Sequence, residues 1–203
     1  MTIPELLQSR YSASFFDPAR SLSDAEIQQL VSLATTAPSA FNAQNWRFIA
    51  VRSSEQKERL KKLAYMQAKV SDAAVTFIVC GETQVHRHLG NNLHSCLAAQ
   101  AITQTLLDNW VGVAEKMYGP NPQFQRDEAV RSASLAGMTL MVAAHGLGLA
   151  AGPMIGFDAA GVAREFGLSE SEVPVMLIAV GHPSTGNAAQ KPRRPLEEVL
   201  VIR

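Results

Sequence analysis

The stretch "APSAFNAQNWRFIAV", residues 37–51, passes from the end of a helix through a loop into a strand. Upstream of it the spacing is helical. Ser23 and Glu26 stand three apart, as the two members of a capping box do, and Ile27, Leu30, Val31 and Ala34 follow on one face. Pro38 stops that helix, because the residue before a proline is pushed out of the helical region. The middle of the stretch is too small and polar for a core element, yet it runs into Trp46, which reads as an anchor fixing the loop to the core. "WRFIAVR" then carries the aromatic and β-branched content of a strand.

The same alternation continues outward in both directions. Thr2 and Glu5, with Pro4 in the first turn, open a helix that runs to about Arg10. Ser53 and Gln56 open a third helix, rich in lysine on one side. "AAVTFIVC", residues 73–80, is an unbroken apolar run and reads as an interior strand. Two long helical patterns cover about 90–110 and 127–145, and their many small residues suit close helix packing. Between them "GVAEKMYGPNPQF" is a Gly/Pro-punctuated excursion. The apolar segment 135–157 has too many glycines for a membrane span and reads as a buried helix followed by a loop. Asp158 caps a short helix that Gly167 ends, "VPVMLIAVGHP" is a second interior strand, and the tail "KPRRPLEEVLVIR" is basic, then proline-broken, then strand-like. Strands alternate with helices, and neither a repeat nor a linker divides them. This is an α/β or α+β layer protein with one domain over residues 1–203.

Composition narrows the function. The 203 residues are 47% hydrophobic and 18% charged, enough to bury a full core, and the formal net charge of +0 argues against a nucleic-acid surface. No signal peptide is evident, so a cytoplasmic protein without a membrane anchor is expected. Cys80 and Cys96 lack zinc or redox spacing and read as reduced, buried and structural. His86 and His88 diverge on a helix and read as solvated surface residues. His145 falls in the last turn of its helix, a structural place. No nucleophile elbow, phosphate-binding P-loop or zinc-protease motif is present, and "GLGLAAG" follows a helix rather than a strand, which a dinucleotide fingerprint does not.

What remains is a set of cations and amides at element ends. Arg10 and Ser12 lie in "SRYSASFFD"; Pro38, Ser39, Asn42 and Gln44 lie in the opening loop; Lys191, Arg193 and Arg194 lie in the tail. Arginine with serine suits a phosphate, since the guanidinium fork gives charge-assisted bonds. Side-chain amides suit the alternating donors and acceptors of a heterocycle.

In order, "RYS", "APSAFNAQNW", "AGPMIGF", "VGHP" and "KPRRPL" resemble the flavin-dependent nitroreductase family, from about residue 3 to the end. The resemblance implies an α+β three-layer sandwich. Its mixed, mostly antiparallel sheet is flanked by helices, and the C-terminal strand is exchanged in a homodimer. It implies that Arg10, Tyr11 and Ser12 bind the phosphate and ribityl end of FMN, with Ser14 nearer the ring. Gln67 and Lys69 would face the flavin's pyrimidine edge. Pro153, Met154, Ile155 and Gly156 would pack on one ring face, and Lys191 and Arg193 would close on the phosphate. Pro38, Ser39, Ala40 and Asn42 would come from the partner subunit, because in this family FMN lies at the dimer interface. Three positions depart from the pattern: Asn45 replaces a common proline, no lysine stands near Ser14, and Ile155 replaces a glutamate found in others.

The implied activity is a ping-pong reaction. NAD(P)H gives a hydride to flavin N5, and a nitroaromatic or quinone-type small molecule then takes the electrons at the same site. No side chain is needed as acid or base in the hydride step. A different FMN reaction on the same scaffold, dehalogenation or dehydrogenation, and a non-catalytic flavin-binding or regulatory protein are the alternatives. Trp110, Tyr118 and Phe124 mark the excursion before the second long helix. Tyr118 and Phe124 are expected to shape the substrate pocket, unless they are plugs that pin the segment.

Overall fold

The computed structural model describes residues 2–203. The capping signals act as the sequence implies. Thr2 and Ser23 each accept from the backbone N–H three residues on, Glu5 and Glu26 reach back to the cap N–H groups, and the helices α1 (Ile3–Ser9) and α2 (Asp24–Ala34) follow. Ser53 caps α3 (Ser54–Leu63) by accepting from Gln56 N–H, without a reciprocal side-chain bond, and a single turn, α4 (Lys69–Asp72), leads into the sheet.

Four strands form that sheet: β1 (Trp46–Val51), β2 (Val75–Glu82), β3 (Ala150–Met154) and β4 (Glu172–Gly181). Their order is β1-β2-β4-β3, and every neighbouring pair is antiparallel. The mixed character expected of the sheet reduces to one parallel bridge, Ser12 to Ala151. β2 lies inside the sheet, with both faces covered, which explains its continuous apolar run. Val75, Phe77 and Val79 pack toward α2 and the long helix α8 (Pro122–Gly146); Ile78 and Cys80 pack on the other side with residues of α3, α4 and the short helix α9 (Ala159–Glu165). This is the α+β three-layer arrangement. α8 lies close on the sheet because small residues let it: a Cβ on Gly81 would sit 2.2 Å from the Ala129 carbonyl oxygen.

Four expectations are corrected. The pattern over 90–110 is not one helix. It splits into α5 (Leu89–Asn92) and α6 (His94–Ala98), halts where Gln100 takes a φ of 57°, and restarts at α7 (Gln104–Tyr118) with Thr103 as its cap. α7 runs through most of the expected excursion, since Gly112 faces open space and breaks nothing. The segment after α8 is not a loop but β3, whose Pro153 is tolerated because β3 is an edge strand. In this chain the tail is not a strand: it makes one short turn at Leu196–Glu198 and is exposed from Lys191 onward. Among the described residues no helix is long and apolar enough to cross a membrane.

Candidate functional site

The segment after α1 is zipped to the β3 edge and to the end of β4. Ala13 N–H donates to the Ala151 carbonyl at 2.9 Å, Phe16 bridges Pro183, and Asp17 N–H donates to the His182 carbonyl at 2.9 Å. Gly152 is required here, since a Cβ would lie 2.2 Å from the Ala13 carbonyl oxygen. The C-terminal segment returns alongside. Between the two runs a cleft of about 100 Å³, lined by Arg10, Tyr11 and Ser12 on one side and by Ala188 to Lys191 and Arg193 on the other. The residues expected to meet a phosphate are therefore brought together from opposite ends of the chain. Arg193 donates to the Lys191 carbonyl at 2.8 Å. Among the described residues, Arg10, Lys191 and Arg193 have no carboxylate partner. Three cations around one small cleft, with no compensating acid, suit an anion.

The second group lies beside the first. Tyr65 and Met66, at φ 53° and 60°, turn the chain sharply after α3. Gln67 Nε2 then donates to the Ala64 carbonyl at 3.1 Å and to the Gly156 carbonyl at 2.9 Å, tying this turn to the end of β3. Lys69, at the start of α4, runs its stem within 3.7 Å of the Cβ position of Gly152. Burial alone pushes the Lys69 ammonium below its ordinary pKa; no acid supports it. The far end of α4 is held by Lys57, whose Nζ donates to the carbonyls of Ser71 (2.8 Å) and Ala73 (2.7 Å). Past Pro153 and Met154, Ile155 is 82% exposed. Ser14 is tied to the C-terminal segment instead, its N–H donating to Asn187 Oδ1 at 2.8 Å.

The third group stands apart. Ser39 Oγ accepts from Gln44 N–H at 2.9 Å, Asn42 Nδ2 lies 3.2 Å from Cys96 Sγ, and Asn92 Nδ2 donates to the Ala43 carbonyl at 3.0 Å. The loop carrying Pro38, Ser39, Ala40 and Asn42 thus seats on α5 and α6 and enters β1, the sheet edge opposite β3. Its anchor is Asn45 rather than Trp46. Asn45 is 2% exposed, its Nδ2 donates to the Glu82 carbonyl at 3.2 Å, and its own carbonyl accepts from Glu82 N–H at 2.9 Å, whereas Trp46 is half-buried.

Other placements differ from the sequence reading. Tyr118 is 2% exposed, its ring stacked on His86 and packed against Phe124 and Phe41, so it has no surface for a substrate; Phe124 is half-buried beside it. The plug alternative describes Tyr118. His86 is 5% exposed, not a solvated residue, and Cys96 is half-buried rather than buried. His145 meets Ser9 Oγ at 2.8 Å and stands edge-on to Tyr11, a structural place as expected. Two amides that the sequence reading did not single out, Asn187 and Gln190, tie the C-terminal segment to residues 7–15.

The nitroreductase family model matches residues 7–182. The chain belongs to the nitroreductase family. It is 34% identical over 196 residues to YodC of Bacillus subtilis (strain 168), provisionally named an NAD(P)H nitroreductase, with 96% of each chain covered. It is 30% identical over 194 residues to the CLA biosynthesis enone reductase of Lactiplantibacillus plantarum, covering 94% of this chain and 87% of that one. A crystal structure from Exiguobacterium sibiricum, provisionally a nitroreductase and in complex with FMN, superposes with a TM-score of 0.92 at 26% identity, covering 100% of this chain and 98% of that one.

Proposed function

We propose that this nitroreductase-family chain is an FMN-dependent oxidoreductase. In this reading it passes a hydride from NAD(P)H to nitroaromatic or quinone-type acceptors, in the cytoplasm, as a homodimer. The observation that carries the reading is the unbalanced positive charge: three cations around the cleft, and the half-buried, acid-free Lys69 farther along the same β3 edge. The first set suits a phosphate monoester and the second suits the electron-rich edge of a ring system, and FMN carries both on one molecule. FMN, when bound, supplies a centre that accepts and returns a hydride.

The chain's own residues bind and orient. Arg10, Ser12, Lys191 and Arg193 hold the phosphate. Gln67 keeps the Tyr65–Met66 turn against the end of β3, so Lys69 has one position relative to Pro153–Gly156. The exposed Ile155 leaves that face open, so donor and acceptor use it in turn, which is the ping-pong order. The loop bearing Pro38, Ser39, Ala40 and Asn42 lies on the opposite sheet edge, so its contribution comes from a partner subunit. The test is spectroscopic. Purified protein should be yellow, bleach anaerobically with NADPH or NADH, and recolour with a quinone. Colourless protein that leaves added FMN unbound would defeat the proposal.

A further inference from the structure

We infer that Asn187 and Gln190 form a double amide clamp that sets the width of the phosphate cleft, and that both are positioning residues for the cofactor's phosphate. The inference rests on the reading of that cleft given under Proposed function. Gln190 Nε2 donates to the Leu7 carbonyl at 3.0 Å and to the Arg10 carbonyl at 2.7 Å. These oxygens lie at the C-terminal end of α1, where the helix itself offers no donors. Asn187 Oδ1 accepts from the N–H groups of Ser14 (2.8 Å) and Phe15 (3.0 Å), while its Nδ2 donates to the carbonyls of Phe15 (2.7 Å) and Ser184 (3.1 Å). Gly186 makes the turn that presents Asn187: its φ is +95°, and its Cβ position lies 3.4 Å from the Phe15 ring.

Two features show why the cleft needs such a clamp. From Pro183 to Arg193 every residue but Asn187 and Gln190 is exposed, so no apolar burial holds this run in place. In addition, Arg10, Lys191 and Arg193 are like charges around about 100 Å³, and without an anion they push the two walls apart. Hydrogen bonds to the backbone on both sides oppose that push and keep the cations at one spacing before the ligand arrives. Pre-setting the donors lowers the ordering cost of binding.

The test compares FMN with riboflavin, which lacks only the phosphate. Apoprotein of wild type, Gln190→Met and Asn187→Leu is titrated with each ligand, and thermal midpoints are recorded alongside. FMN affinity should fall about tenfold or more in each variant, a loss of about 1.4 kcal/mol, while riboflavin affinity holds, so the preference for the phosphate shrinks. If Asn187→Leu does not fold, Gln190→Met decides the matter. Equal losses for both ligands, or no loss, overturn the clamp as a positioning device. A wild type that binds FMN no better than riboflavin overturns the cleft's phosphate role and the clamp together.

Discussion

Replacing Arg10 with alanine removes the least exposed cation of the cleft. Arg10 is half-buried, whereas Lys191 and Arg193 are exposed, so water and salt screen its contact least. The change spares the scaffold. The Arg10 N–H still donates to the Leu6 carbonyl at 3.1 Å, and its carbonyl still accepts from Gln190. On the proposed phosphate role, the change removes a charge-assisted contact worth about 1.5–3 kcal/mol. At about 1.4 kcal/mol per decade, FMN should bind roughly 10- to 150-fold more weakly. Two controls follow from the electrostatics. Riboflavin affinity should be unchanged, and the gap between variant and wild type should narrow in high salt as screening rises. Flavin-fluorescence titration of apoprotein at low and high ionic strength measures both. Equal FMN affinity in the two proteins at low salt would remove Arg10 from the phosphate site.

Gly152→Ala should destabilise the fold by about 1–3 kcal/mol or more, since the new methyl meets the Ala13 carbonyl, a backbone group with little room to yield; a thermal midpoint within a degree of wild type would contradict the packing. Lys69→Met should stabilise the apoprotein at neutral pH while weakening flavin binding. Burial lowers the Lys69 pKa, so the unfolded chain binds its proton more tightly, and wild-type stability rises as pH climbs through the folded value toward the ordinary 10.5. Subtracting urea-unfolding curves of the variant from those of wild type between neutral and alkaline pH isolates that rise, and a flat difference would refute it. Deleting residues 196–203 should cost both dimer and bound flavin; a truncated protein that stays dimeric at low concentration with full flavin would defeat tail exchange.

Local signals were legible in the sequence, and distant ones were not. Thr2, Ser23, Ser53 and Asp158 each announce a helix because the cap and its partner lie three residues apart. β2 was legible because burial on both faces demands an unbroken apolar run. β3 was hidden because "AAGPM" has little strand propensity; it is held by pairing with β4 and by the residue 12–13 segment, both far away in sequence. The break at Gln100 was hidden because the small residues around it suit a helix equally well. Arg10, Lys191 and Arg193 could be picked out by charge and family likeness, and the fold brings them together. Asn187 and Gln190 could not, since a polar residue in a Gly/Pro-rich run looks like solvated turn and their partners lie at the opposite end of the chain.

The loop that opens the sequence reading bears on assembly. It enters β1, and the cation-lined cleft sits on the β3 side, three strand spacings or roughly 14 Å across the sheet. A loop seated on α5 and α6 through Asn42 and Asn92, and tied to the end of β2 by Asn45, has no slack to cross that distance. The same chain ends in Leu196, Val199, Leu200, Val201 and Ile202, all exposed. On the proposed roles, a monomer would leave the loop without a cofactor to contact and the tail without cover. The proposed homodimer answers both at once, because a two-fold axis that carries one protomer's loop to its partner's β3 edge carries the partner's loop back. Two complete sites then form together or not at all. Flavin content should therefore track the dimer on dilution, at two FMN per dimer, and a monomer that retains its flavin would break the link.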